Sequence, residues 1–118
     1  MTMKMKLTNQ DKNDLEKLLN ICHANIKNSR QCIEYLNSRG IRNSQIKKYK
    51  LGYFPQNINT LTTHISKLLL EKLCIVDYSG ISKFADYYYL TFPIVDEYGH
   101  AHGISGRSLF SDNERELL

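Results

Sequence analysis

The chain has 118 residues, of which 42% are hydrophobic and 24% are charged, and its formal net charge is +4. This balance is typical of a soluble fold with a modest core and argues against disorder, so we treat residues 1–118 as one domain. The positive charge favours an anionic partner. No apolar run approaches the roughly 18 residues of a membrane span and no signal peptide is visible, so we expect a cytoplasmic protein without a membrane partner.

The three cysteines, Cys22, Cys32 and Cys74, stand far apart and form no C-x-x-C pair. This pattern fits a reducing compartment and argues against a disulfide framework and a zinc ribbon. We therefore expect the cysteines to be small buried hydrophobic residues. Because the carboxylates are scattered and no glycine-rich phosphate loop occurs, the sequence predicts no catalytic residue, metal site or cofactor in this chain itself.

A first helix is predicted to begin near Asn13, with Glu16 three residues on as its capping-box partner. His23 lies beside the apolar stripe of this helix, and we interpret it as a surface or partly buried histidine rather than a metal ligand. The helical spacing places five residues on the core-facing side: Leu15, Leu18, Leu19, Cys22 and Ile26.

A second helix is predicted after a cap at Asn28 or Ser29, and Gly40 should end it. A third, short helix is predicted over residues 44–49. The side chains expected to face the core from these two helices are Cys32, Ile33, Leu36, Ile46 and Tyr49.

Cations are concentrated around the third helix, where Arg42, Lys47, Lys48 and Lys50 fall within nine residues. Such a cluster can be a solvated surface, or it can contact a phosphate backbone and make binding salt-dependent. Arg39 lies in the last turn of the second helix, where a cation also suits the helix dipole. The residues alone leave both interpretations open for all five side chains.

The middle of the chain predicts a short strand over residues 51–55, ended by a proline, and then one helix over residues 60–73. That helix carries no obvious chemistry and should serve core packing. Its predicted inward side chains are Leu61, Ile65, Leu68, Leu69 and Leu73.

Residues 90–109 read as two strands joined by a turn at residues 96–99, which is a β-hairpin. Pro93 cannot donate a ladder hydrogen bond, so its strand should lie at an edge or carry a bulge. The second strand delivers Arg107 just past two glycines, where the backbone can approach a ligand closely. The fold class is therefore α+β, with N-terminal helices packed on a small antiparallel sheet that ends in a hairpin.

Other side chains near the hairpin have weaker functional signals. The aromatic run at residues 87–89, like Tyr53, can stack bases but is also typical of a strand. His100 and His102 share a strand face, but nothing completes a metal site around them. The turn geometry already explains the acidic pair at residues 96–97.

Four segments of the chain match the sequence motifs of one protein family. Residues 35–41 read YLNSRGI, similar to Y-L-x-x-R-G-[LI], and residues 46–55 read IKKYKLGYFP, similar to I-x-x-[FY]-x-L-G-[YF]-[AS]-P. Residues 92–99 read FPIVDEYG, similar to F-P-I-x-D-x-x-G, and residues 103–109 read GISGRSL, similar to G-F-x-G-R-x-L. In this order and at this spacing, the four segments together resemble the catalytic core of bacterial DnaG-type DNA primases more specifically than any one motif does.

The resemblance implies the N-terminal, mixed α/β subdomain of a primase RNA polymerase core, which makes short RNA primers on single-stranded DNA. It implies that Arg39 and Arg107 lie along a basic groove facing template or primer-template. Metal ions, Mg²⁺ or Mn²⁺, would be held by a TOPRIM domain that this chain does not contain, and the replicative helicase is a possible partner. The nucleic-acid-binding set is then Arg39, Arg42, Lys47, Lys48, Lys50, Tyr53 and Arg107.

The chain departs from the family pattern at several points. Ile104 replaces the usual phenylalanine, no upstream zinc-binding module is present, and the sequence stops before the TOPRIM domain. We therefore expect part of a longer replication protein that is inactive alone. Two alternatives are the same module in a phage primase-helicase, and a non-catalytic adapter that binds a replication protein.

Overall fold

The structure is a computed structural model that describes residues 7–55, 59–73, 75 and 90–107. The predicted α+β class is confirmed, because helices on the N-terminal side pack on an antiparallel sheet that ends in a hairpin. The elements of the described residues, together with a short 3₁₀ turn at Ile26–Asn28, are α1 (Asn9–Asn25), α2 (Arg30–Ser38), α3 (Asn43–Lys48), β1 (Gly52–Tyr53), α4 (Asn59–Thr62), α5 (Lys67–Lys72), β2 (Leu90–Val95) and β3 (Ala101–Arg107).

The start of α1 lies upstream of its predicted position near Asn13. Thr8 and Asp11 form a reciprocal capping box, in which each side chain accepts the other's backbone N–H at 3.0 Å. Asp11 also forms an ion pair with Lys72 of α5 at 2.7 Å, and this hydrogen bond lowers the pKa of its carboxyl group. The prediction that Glu16 completes the cap was wrong, because the equivalent pair Thr8 and Asp11, five residues upstream, forms the cap and also has a tertiary partner.

The core-facing stripe of α1 is confirmed, and α1 is fixed tightly against β1. A side chain at Gly52 could not be accommodated, since its Cβ would lie 2.6 Å from the carbonyl carbon of Cys22. His23 Nδ1–H donates to the carbonyl of Leu51 at 2.7 Å, and Asn25 Nδ2 donates to a carbonyl of β1 at 2.9 Å. His23 therefore connects helix and strand, as expected of a partly buried structural histidine.

The boundaries of α2 agree with the sequence signals. Ser29 Oγ accepts the N–H of Cys32 at 3.1 Å, which confirms the predicted cap. Beyond the helix, Gly40 has a φ of +84°, and Ile41 N–H donates to the carbonyl of Leu36 at 2.9 Å. This is the arrangement in which glycine satisfies the last helical carbonyls with least strain.

The short helix α3 ends in the same way, but with Lys50 in place of glycine. Lys50 has a φ of +53°, and Leu51 N–H donates to the carbonyl of Ile46 at 3.0 Å. Ile46 is buried as predicted, whereas Tyr49 is 56% exposed. The prediction that Tyr49 packs inward was wrong, because the chain reverses there and no further helical turn covers the ring.

The single helix predicted over residues 60–73 is divided into α4 and α5. Ser66 caps α5 by accepting the N–H of Leu69 at 3.1 Å, so the chain turns between the two short helices. Leu61, Ile65 and Leu69 are buried as predicted, but Leu68 is 60% exposed. Apolar spacing alone did not reveal the serine cap that interrupts the helix.

The three strands form an antiparallel sheet in the order β1-β2-β3. Alternation gives the sheet two faces, which we call the packed face and the open face. On the packed face, Gly52 pairs with Thr91, which is 1% exposed, and α1 contacts all three strands. On the open face, Leu90 pairs with Arg107, and Phe92 follows two residues later.

Pro93 has no N–H to donate, and it lies where one side of β2 is unpaired, although β2 is the central strand of this sheet. β1 pairs only with Leu90 and Thr91, so the side of β2 beyond them has no partner among the described strands. The pairing with β3 shifts between Ile94 and Val95, which is the bulge that a strand proline permits.

The predicted turn at residues 96–99 joins β2 to β3. Gly99 N–H donates to the carbonyl of Asp96 at 3.0 Å, and Gly99 has a φ of +84°. Asp96 Oδ1 also accepts the N–H groups of Tyr98 and His100, each at 2.9 Å. Aspartate and glycine thus supply the side-chain acceptor and the left-handed residue that this turn requires.

Two apolar clusters hold the fold. The larger lies between α1, α4, α5 and the packed face, and includes Leu18, Phe54 and Leu69. The smaller lies between α2, α3 and Leu90. Within the described ranges, no helix is long and apolar enough to cross a membrane.

Two of the three cysteines contribute to this packing. Cys22 and Cys32 are buried, and their burial raises the thiol pKa to about 12 and about 11 respectively. Both therefore behave as the small buried residues that were predicted. The same prediction for Cys74 lies outside the described residues.

Candidate nucleic-acid interface

Arg39 and Arg107, far apart in sequence, line one shallow depression of about 330 Å³ on the open face. We call it the arginine depression. Its floor is largely apolar and comes from α2, from the segment before β1 and from β2. The side chains that matter for its chemistry are Tyr35, Arg39, Leu51, Leu90, Phe92 and Arg107.

The end of α2 places Arg39 in this depression. Arg39 is the C-cap residue, and its backbone N–H donates to the carbonyls of Leu36 at 3.0 Å and Tyr35 at 3.2 Å. Its guanidinium carbon lies 5.1 Å from the centroid of the Tyr35 ring, within the range of a cation–π contact. The backbone cap and the ring together orient an exposed cation toward the open face.

The register of the hairpin brings Arg107 to the same depression as Arg39. Arg107 is the last residue of β3 and pairs with Leu90, so both side chains lie on the open face. Leu90 is buried against α2 and α3, and Arg107 is partly buried beside it. A one-residue slip of the hairpin would move Arg107 to the packed face.

A second depression of about 540 Å³ follows the unpartnered side of β2, and we call it the lysine groove. Its apolar surface includes Tyr49, Phe92 and Val95, and Lys48 and Lys50 lie at its border. Phe92 and Leu51 line the arginine depression as well, so the two concavities adjoin.

The lysine groove has specific charge contacts. Lys48 Nζ lies 5.3 Å from the centroid of the Tyr49 ring. Lys50 Nζ lies 3.5 Å from Glu16 Oε1, an ion pair between largely solvated groups. Such a pair contributes little to stability and can exchange its partner for another anion.

The other predicted binding residues lie outside these two concavities. Arg42 and Lys47 are exposed on α3. Tyr53 is partly buried in β1, where it packs against the smaller apolar cluster, so stacking by Tyr53 stays a prediction. The aromatic run at residues 87–89 lies outside the described residues.

Sequence reasoning did not select Tyr35 and Phe92 for the site, and it misplaced Tyr49. Tyr35 lies four residues before Arg39, which is the helical spacing that brings a ring beside a cation, so that contact could have been found. Phe92 shares its face with Leu90 by alternation, but its exposure depends on β1 beginning only at Gly52, which pairs with Thr91. No local sequence signal reports that start.

Both hairpin histidines lie close to Asp96 in the turn. His102 Nε2 donates to Asp96 Oδ2 at 2.9 Å, and His100 Nδ1 lies 3.8 Å from the same oxygen. Within the part of the chain that the structure describes, no three His, Cys, Asp or Glu residues are placed to hold a metal ion. The chemistry of the site is therefore that of paired cations beside exposed aromatic and apolar side chains, which suits an anionic ligand with flat apolar parts.

Comparisons with known proteins agree on one family. A family model described as the DNA primase catalytic core, N-terminal domain, matches residues 21–117. A DNA primase of Lactococcus lactis subsp. lactis (strain IL1403) is 29% identical over 102 residues, which are 80% of this chain and 16% of that protein. A solved structure of the DnaG primase catalytic domain bound to ssDNA has a TM-score of 0.67 at 18% identity, over 86% of this chain and 36% of that one. The structural likeness shows the fold, and the chain spans only a small part of each relative.

Proposed function

Because the chain belongs to the family of DNA primase catalytic core N-terminal domains, we propose that it guides single-stranded DNA in a DNA primase. The larger protein would synthesise short RNA primers for replication. This subdomain would hold the template or primer-template by its phosphates, and it would not itself carry out nucleotidyl transfer. The structure of a DnaG primase catalytic domain bound to ssDNA supports the choice of ligand.

The observation that carries the proposal is that Arg39 and Arg107 line one depression although they come from different elements. Guanidinium groups form strong, bidentate hydrogen bonds with phosphate oxygens. Contacts to phosphates fix the position of a strand and carry little sequence information. We therefore expect binding that tolerates changes of base sequence and weakens as salt rises.

Catalysis would need metal ions that stabilise the attacking and leaving oxygens. Among the described residues, no three His, Cys, Asp or Glu residues are placed to hold such an ion. We propose that Mg²⁺ or Mn²⁺ binds in a TOPRIM domain of the larger protein. A replicative helicase as partner and a cytoplasmic location stay predictions.

The proposal can be tested by fluorescence anisotropy of a labelled single-stranded oligonucleotide at about 50 and about 200 mM salt. The Arg39→Ala/Arg107→Ala variant should bind roughly tenfold or more weakly, since a hydrogen bond to a charged group contributes about 1.5 kcal/mol or more. Two lost phosphate contacts should also reduce the slope of log K against log salt by about 1.4.

The matched control is Lys27→Ala/Arg30→Ala, which removes the same charge from exposed positions outside both concavities. It should keep most of the affinity. Equal losses in the two double variants would show that only net charge matters. Unchanged affinity in the arginine variant would contradict the proposed role of the depression.

The two alternatives predicted from the sequence are not favoured by a specific observation. A primase-helicase differs only in sequence beyond this chain. An adapter would gain support from an apolar patch opposite the arginines, whereas the exposed Tyr49, Phe92 and Val95 lie in the groove next to them.

A further inference from the structure

We propose that Tyr49 and Phe92 are base-stacking residues, so that single-stranded nucleic acid runs from the arginine depression across Phe92 into the lysine groove. This inference rests on the proposed function and adds to it. The arginines would hold phosphates, and the two rings would contact bases. Nothing in the sequence motifs assigns this role to either ring, and Tyr49 was predicted to be buried.

The first observation is exposure. Tyr49, which directly follows α3, is 56% exposed, and Phe92 in β2 is 36% exposed. Large aromatic side chains are usually buried, and those that remain exposed together commonly mark a binding surface. The turn after α3 presents Tyr49, and Phe92 is uncovered because β1 begins only at Gly52, opposite Thr91.

The second observation is that the arginine depression and the lysine groove are continuous. Phe92 lines both the arginine depression and the lysine groove, and Tyr49 lines the groove with it. A strand held at Arg39 and Arg107 that extended past Phe92 would therefore meet Tyr49. Single-strand binding surfaces combine this arrangement of a cationic track with successive aromatic platforms.

The third observation is charge complementarity around the rings. Lys48 lies over the Tyr49 ring at 5.3 Å, and Lys50 borders the same groove. Lys47 is exposed one residue before Lys48. A polyanion whose bases reach the apolar surface would satisfy both the cations and the rings, which favours nucleic acid over a neutral peptide.

The chain contains no tryptophan, so Tyr49→Trp introduces a single specific fluorophore. We expect a thymidine oligonucleotide to quench its emission, and an abasic oligonucleotide of the same length and charge to leave it nearly unchanged. Leu68→Trp is the matched control, because Leu68 is also exposed but lines neither concavity. Its emission should not respond to either ligand.

Affinity gives a second measurement. Tyr49→Leu and Phe92→Leu should each weaken binding of the thymidine oligonucleotide by about fivefold or more, as expected for one lost base stack. Both variants should bind the abasic oligonucleotide as the wild type does. Tyr49→Phe keeps the ring and should keep the affinity.

The outcomes separate this inference from the proposed function. If the arginine variant loses binding while Tyr49→Leu and Phe92→Leu do not, the inference is wrong and the proposed function stands. Equal quenching by the abasic ligand would also overturn it, because the sugar-phosphate backbone rather than the bases would then account for the change at the ring. If the wild type shows no salt-dependent binding, both proposals fail.

Discussion

The packed face and the open face of the sheet consist of the same strands, yet α1 covers the packed face and the open face is partly exposed. Thr91 is 1% exposed beneath α1, whereas Phe92, the next residue of the same strand, is 36% exposed. Because successive side chains of a strand point to opposite sides, one strand can hold the fold with one set of residues and present a surface with the other.

This difference separates stability from binding. Substitutions on the packed face should lower the free energy of unfolding, because they disturb the contact with α1. Substitutions at the rim of the open face, such as Arg39 or Tyr49, should change affinity with little change in stability. The comparison would fail if the two kinds of substitution had the same effects.

The largest expected effect on stability is that of Gly52→Ala on the packed face. The new Cβ would lie 2.6 Å from the carbonyl carbon and 2.7 Å from the carbonyl oxygen of Cys22, and 2.7 Å from Thr91 Oγ1. Since the nearest atoms belong to the α1 backbone, the helix must shift. We expect a loss of about 1–3 kcal/mol of unfolding free energy, measured by urea denaturation.

Gly103→Ala is the matched control for this substitution. Gly103 also lies in a strand and is buried, but its added Cβ would meet only the Ile94 side chain at an ordinary 3.6 Å. Its effect should stay below about 1 kcal/mol. If both glycine variants lose the same stability, general glycine replacement in the sheet is responsible rather than the close approach of α1.

Much of this fold was predictable because the signals are local. The Ser29 cap and the Gly40 end of α2 satisfy backbone groups within a few residues. In the hairpin, Asp96 and Gly99 likewise form a complete turn by themselves. Structures held by hydrogen bonds between residues close in sequence can therefore be predicted from local residue patterns.

The failures have more than one physical cause. Asp11, which caps the start of α1 with Thr8, also binds Lys72, and these two residues are distant in sequence. Apolar periodicity persists through the break at Ser66, because Ile65 and Leu69 are buried on either side of it. The family resemblance implied that Arg39 and Arg107 lie along one groove. The strand register that brings Arg107 to the depression with Arg39 is visible only in the folded sheet.

A smaller effect is expected at Lys50, where α3 ends as α2 does at Gly40. A non-glycine residue with left-handed φ costs about 1 kcal/mol, and a solvated ion pair such as Lys50–Glu16 contributes up to about 1 kcal/mol. Lys50→Gly should therefore change the unfolding free energy by less than about 1 kcal/mol. If Lys50 contacts a phosphate, the salt slope of oligonucleotide binding should fall by about 0.7.

Gly40→Ala provides the comparison, since it introduces strain of about 1–2 kcal/mol at a φ of +84°. The opposite substitutions at the two helix ends should thus differ in their effect on stability. If Lys50→Gly destabilises as much as Gly40→Ala, the lysine side chain holds the end of α3. In that case its strained position would reflect folding rather than binding.

The smallest effect is expected in the hairpin turn, at the far end of the open face. Hydrogen bonds from His102 and from the backbone N–H of His100 lower the pKa of Asp96 to about 2. The stabilisation by this carboxylate is therefore fully present above the ordinary value of 3.8 and is lost as the pH falls through about 2. In an NMR titration, the amide signals of Tyr98 and His100 should have moved little by pH 3.8, and Asp96→Asn should abolish their acid transition. A midpoint near 3.8 in the wild type would show that these hydrogen bonds do not persist in solution, and the turn would then owe its shape to Gly99 and strand pairing.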